Sequence, residues 1–99
     1  MAKVWLQDID GGQAALFDCP GCGFLHAVHI SQGHTPRPVW GWNGNVDAPT
    51  FTPSIAVSWH ERNIPKMCHS FVTDGRIQFL GDCTHSLAGQ TVDIPDCEP

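Results

Sequence analysis

Cys68-His69-Ser70-Phe71-Val72-Thr73-Asp74-Gly75-Arg76-Ile77-Gln78-Phe79-Leu80-Gly81-Asp82-Cys83 is the stretch on which the fold turns. Two apolar, alternating runs, Ser70–Thr73 and Ile77–Leu80, flank Asp74-Gly75. Asp-Gly between such runs predicts a tight hairpin, because both turn residues must take positive φ and both tolerate it. If Thr73 and Arg76 flank the turn, Val72 opposes Ile77, Ser70 opposes Phe79 and Cys68 opposes Gly81. Side chains alternate along a strand. Cys68, Ser70 and Val72 therefore share a face with Ile77, Phe79, Gly81 and Cys83. Cys68 and Cys83 meet diagonally at the open end of the hairpin, and His69 points the other way. A slip of one residue exchanges His69 for Cys68.

The partner of that cysteine pair lies upstream. Cys19-Pro20-Gly21-Cys22-Gly23 holds two thiols that reach one ion if the backbone between them turns tightly. Zn²⁺ takes four such ligands in a tetrahedron. The geometry selects Cys19, Cys22, Cys68 and Cys83 as the metal ligands. His85, just past Cys83, is the main competitor for one position, and His26 is the next. A redox pair would open a helix, whereas Phe24–Ile30 reads as a strand, so zinc is the favoured reading. Cys97 is left as a free thiol. The alternative is an open, hydrolytic zinc site with His69, Asp82 or His85 beside the metal. Sulfur-rich sites are usually closed, and no His-Glu-x-x-His pattern occurs. A structural ion is therefore expected, and no catalytic residue is assigned.

Further strands are read at Val4–Leu6, Ala14–Phe17, Phe24–Ile30, Val39–Trp42, Ile55–Trp59 and Gln90–Ile94. Asn43-Gly44 is a second favoured hairpin dipeptide. Pro49-Thr50-Phe51-Thr52-Pro53-Ser54-Ile55 reads as an edge, or a loop leading into a strand, since proline cannot donate to a ladder. One helical turn is expected at Thr84–Ala88, capped by Asp82 or Thr84 and stopped by Gly89. Ser70 beside His69 is not a nucleophile and base, because adjacent strand residues face apart. Trp40 and Trp42 share a face and are read as core, with an exposed binding platform as the alternative. The fold class is mainly β, small and zinc-stabilised, with zinc-ribbon or treble-clef-like elements and one short helical turn. Residues 1–99 form one domain, with 93–99 as a loose tail.

Composition narrows the partners. The 99 residues carry five Lys and Arg against ten Asp and Glu, a net charge of −5. Binding to a phosphate backbone needs clustered cations, so nucleic acid is not expected. No apolar run reaches the ~18 residues of a membrane span. The start, Met1 to Asp8, lacks the apolar stretch of a signal peptide. A reducing, cytoplasmic setting is expected, where clustered cysteines hold metal rather than disulfides.

The hairpin run above, its continuation Thr84-His85-Ser86-Leu87-Ala88-Gly89-Gln90-Thr91-Val92, and the upstream Trp42-Asn43-Gly44 and Pro49 to Ile55 segments resemble a group of small proteins of tailed phages and prophages. The resemblance covers most of residues 17–95. It implies a phage-borne zinc domain in the host cytoplasm. The resemblance brings no activity; the leading expectation, from the zinc-stabilised fold, is a protein-binding or accessory module, with a phage or host protein as partner, rather than an enzyme.

Overall fold

Three two-residue turns set the registers of the chain. Asp10-Gly11 (φ 52° and 80°), Arg62-Asn63 (53° and 66°) and Asp74-Gly75 (51° and 80°) each place both residues in the left-handed region. That is the turn whose twist matches paired strands. A computed structural model describes residues 1–97 and contains eight strands among them. β1 (Trp5–Ile9), β2 (Gly12–Asp18) and β3 (Leu25–His29) form one antiparallel sheet in that order. β4 (Gly41–Trp42), β5 (Phe51–Glu61), β6 (Ile64–Thr73), β7 (Arg76–Phe79) and β8 (Thr91–Asp93) form the second, also antiparallel and in chain order.

The Asp74-Gly75 hairpin has the register expected of it: Thr73 pairs with Arg76, Val72 with Ile77 and Ser70 with Phe79. Asn43-Gly44 does not make a two-residue turn. Residues 43–50 connect β4 to β5, and the Asn43 side chain holds them by accepting from the Asn45 and Thr50 amides. β5 then carries a register irregularity between Phe51 and Ile55, and the Thr52–Pro53 bond inside it is cis.

The core lies between the sheets. Val4, Ala15, Phe17 and Val28 meet Phe51, Ile55, Val72, Ile77 and Phe79, all at most 4% exposed. Phe17 of β2 stacks on Phe51 of β5 at 6.5 Å. Trp40 and Trp42 are partly buried against this core. Ile94, within the expected tail, is fully buried, and the Cys97 amide donates to the Ala2 carbonyl at 2.7 Å. The rest of that tail, Glu98 and Pro99, lies outside the described residues.

One expectation is corrected. Thr84–Ala88 forms no helical turn, and no helix occurs among the described residues. A helix needs each amide to reach the carbonyl four residues back. Here the Leu87 amide donates to the His85 ring (3.2 Å) and the Gly89 amide to the Phe79 carbonyl (3.0 Å). Ala88 and Gln90 close only three-residue spans, to His85 and Leu87. The helical element of a treble clef is therefore missing, and a two-sheet β fold remains. No helix is long and apolar enough to cross a membrane.

Candidate active site and metal centre

The β5–β6 ladder separates two clusters of reactive side chains. Val57 pairs with Cys68 and Ala56 with His69. Neighbours on a strand face opposite ways, so the Cys68 thiol enters the core, fully buried, while His69 stands on the outer face. Asp82 and Cys83 repeat the pattern: Cys83 is buried and the Asp82 side chain is 56% exposed.

On the outer face His69 bridges two partners. Its Nδ1 lies 3.2 Å from Asp82 Oδ2, and its Nε2 lies 3.1 Å from Ser54 Oγ. A carboxylate accepts, so the Asp82 contact fixes the proton on Nδ1 and leaves Nε2 as the acceptor for the Ser54 hydroxyl. Ser54 stands in the irregular segment of β5, and its carbonyl accepts the Trp40 indole N–H at 3.1 Å. The His69 backbone is held from within: its carbonyl accepts the Leu80 amide (2.9 Å) and the Cys83 thiol (3.2 Å), and its amide donates to Cys83 Sγ (3.3 Å). The result is a serine, a histidine and a carboxylate in one hydrogen-bonded chain, the arrangement that makes a hydroxyl nucleophilic.

Sequence reading singles out His69 and Asp82, but beside a metal, and it does not find Ser54. A signal for it exists. Had Arg62-Asn63 been read as a two-residue turn, Ala56 would oppose His69, bringing Ser54 diagonally within reach. Ser70, by contrast, faces away from His69, fully buried, with its Oγ unpartnered among the described residues.

On the inner face the ligand atoms of Cys19, Cys22, His26 and Cys68 all lie within 4.8 Å of one another. Cys68, Cys83 and His85 form a second such group. Of the four thiols expected from sequence, three are thus mutually in reach, and Cys83 joins through Cys68. Cys97 belongs to neither group. Gly21 makes the knuckle fit: a Cβ there would collide with the His85 ring. His85 Nε2 lies 3.5 Å from Cys68 Sγ, while its Nδ1 accepts the Leu87 amide. His26 is 3% exposed, and among the described residues neither ring nitrogen makes a well-formed hydrogen bond, though the ring lies against Cys19.

These thiols set one another's acidity. The hydrogen bond from Cys68 draws the Cys19 thiol down to about 3 against its burial, with His26 and the Cys22 amide adding to the effect. Cys68 is pushed up chiefly because it donates to Cys19. Burial, then the charge on Cys19, pushes Cys22 up to about 12. Buried sulfur and imidazole donors at this spacing fit a soft divalent ion such as zinc.

A family model described as bacterial ubiquitination-like system serine protease (BubE) matches residues 1–80. The match includes Ser54 and His69 and ends just short of Asp82. No curated protein and no solved structure matches the chain.

Proposed function

The chain belongs to the BubE family, and from that premise we propose that it is a serine hydrolase cleaving polypeptide, with Ser54 as nucleophile, His69 as base and Asp82 as the group that orients it. The observation that carries this reading is the continuous chain from Asp82 Oδ2 through both His69 nitrogens to Ser54 Oγ, at 3.2 and 3.1 Å. Triads are recognised by geometry rather than by order in the chain.

The steps follow from that geometry. Ser54 Oγ passes its proton to His69 Nε2 as it attacks the scissile carbonyl carbon. The imidazolium, held by Asp82 at Nδ1, returns that proton to the departing amine as the C–N bond breaks, leaving an acyl group on Ser54. A water then attacks the ester, giving its proton to Nε2. The proton returns to Oγ as the acid leaves. The protein partner expected from the sequence becomes the substrate.

A zinc ion fits the inner cluster as a structural cross-link. Cys19, Cys22 and Cys68 would supply three ligands. His26 is the favoured fourth because its buried ring nitrogens otherwise make no well-formed hydrogen bond among the described residues. Cys83, the fourth thiol of the sequence expectation, is engaged with the His69 backbone instead. The open zinc site considered beside His69, Asp82 or His85 is not favoured either: His69 turns to Ser54 and Asp82 to His69 on the other face of the sheet, and only His85 lies beside the inner thiols.

A fluorophosphonate probe tests the reading. The expected adduct is on Ser54, with labelling lost in Ser54→Ala and slowed about 10³-fold or more in His69→Ala. Labelling of another serine, or undiminished labelling of Ser54→Ala protein, overturns it.

A further inference from the structure

We propose that the open flank of β5, from Ala56 to His60, binds its substrate as an added antiparallel strand that leads the scissile carbonyl to Ser54. This rests on the Ser54 reading and adds to it the form of the substrate: an extended, unfolded segment of polypeptide recognised through its backbone.

The flank is defined by two features. β4 covers β5 only at Phe51 and Thr52. It ends there because the chain turns away at Trp40, whose amide donates to the His29 carbonyl of the other sheet at 2.8 Å. The phase of the exposed remainder is fixed by the Arg62-Asn63 turn, which makes Glu61 and Ile64 the closing pair. In a two-residue hairpin the closing pair is hydrogen-bonded, and hydrogen-bonded pairs then alternate. Glu61, Trp59, Val57 and Ile55 therefore bond to β6. Ala56, Ser58 and His60 aim their amides and carbonyls at the uncovered flank. All three residues are exposed. Among the described residues none of their backbone groups takes another partner. The Ser54 carbonyl, next along, accepts the Trp40 indole from outside the β5–β6 ladder.

A row of unpaired backbone groups is a template for another strand. From Ala56 to His60 it runs about 13 Å at ~3.3 Å per residue, enough for about five residues of substrate. Such a strand lies about 4.8 Å from β5, which brings its end alongside Ser54. Ala56 and Ser58 are small and share the outer face with His69, so they leave room above the flank. Every pair in this sheet is antiparallel. An added strand of the same sense runs from His60 towards Ser54. The acyl side of the cleaved bond then lies on the flank, and the leaving segment departs past Pro53.

The test uses the whole chain and a peptide pool made by digesting a bacterial lysate, with cleavage read by mass spectrometry. One cleaved peptide is then remade with single N-methyl groups at successive backbone amides on the acyl side. The expected result is a period of two: N-methylation at every second residue lowers kcat/KM at least 10-fold, mainly through KM, and the residues between are tolerated. Ser58→Pro, which removes a flank-facing amide and spares the bonds to β6, is expected to raise KM for the same peptide. A flat N-methyl profile overturns the proposal. So does a wild-type protein that fluorophosphonate labels at Ser54 but that cleaves no peptide. Sedimentation that shows a dimer undone by Ser58→Pro, with KM unchanged, assigns the flank to a second copy and also overturns it. If Ser54 itself is not labelled, the hydrolase reading fails first, and separably.

Discussion

Cys83 shows how much one side chain decides here. It sits beside Asp82 in sequence, and its sulfur touches both the amide and the carbonyl of His69. Two catalytic candidates thus hang on one buried thiol. A serine hydroxyl donates and accepts in the same places, so Cys83→Ser is expected to keep both the metal content and the Ser54 labelling rate near wild type. Cys83→Ala removes both sulfur contacts to the His69 backbone, leaving the Leu80 amide on its carbonyl, and is expected to slow labelling about 5- to 10-fold, roughly the worth of one hydrogen bond. Metal analysis of both variants, run with the labelling assay, separates this from ligation: loss of the ion in Cys83→Ser would make Cys83 a ligand after all. Asp82→Asn bears on the same histidine from the other side. The amide cannot hold the proton on Nδ1 in the required tautomer, and labelling is expected to fall by about 10³-fold or more. Near-wild-type labelling of that variant would leave Asp82 a solvated surface acid, in keeping with its exposure.

At the scale of elements, hairpins explain what sequence could and could not reveal. Asp74-Gly75 announces itself, and from it the register of β6 on β7 and the shared face of Cys68 and Cys83 follow by alternation alone. Arg62-Asn63 makes the same kind of turn without a glycine, with Arg62 at φ 53°. That turn pairs β5 with β6, so overlooking it hides Ser54 from His69 and leaves both His69 and Asp82 looking like neighbours of a metal. The Thr84–Ala88 segment misleads for a different reason. Its composition suits a helical turn, but the Thr84 amide serves the Met67 carbonyl of β6 and the following Gly89 amide the Phe79 carbonyl of β7, contacts that only the folded chain supplies, while the Leu87 amide turns to the His85 ring. The turn also carries a prediction. Arginine in the left-handed region costs about 1–2 kcal/mol, and asparagine is the residue that tolerates it best after glycine. Arg62→Asn is expected to raise the melting temperature by a few degrees with Ser54 labelling unchanged. A fall in melting temperature would mean that the Arg62 side chain contributes more than its backbone costs.

For the molecule as a whole, the question is what joins the sheets at the end where the triad sits. Cys19 and Cys22 stand on the connection between β2 and β3, and Cys68 is on β6, so the inner cluster spans both sheets. Without an ion this meeting of thiols is poorly satisfied. One proton-sharing arrangement, Cys19 as acceptor and Cys68 as donor, accounts for two of them, Cys22 is driven towards its neutral form by burial, and His26 lies beside Cys19 with no well-formed hydrogen bond to either nitrogen among the described residues. A divalent ion held there would replace this with bonds to the cluster and close a cross-link that a core of this size needs. Cys68 and His69 are adjacent in sequence and on opposite faces of one strand, so strain at the cluster moves the base. Chelation of the purified protein is therefore expected to lower its melting temperature by more than about 10 °C, and to slow Ser54 labelling below that transition, while the strands remain visible by far-ultraviolet circular dichroism. Zinc added back is expected to restore both together. Cys19→Ser should reproduce the chelated behaviour and resist rescue. Full removal of metal with an unchanged melting temperature would cut the cross-link out of the account, and the triad would then have to be held by the β5–β6 ladder and Cys83 alone.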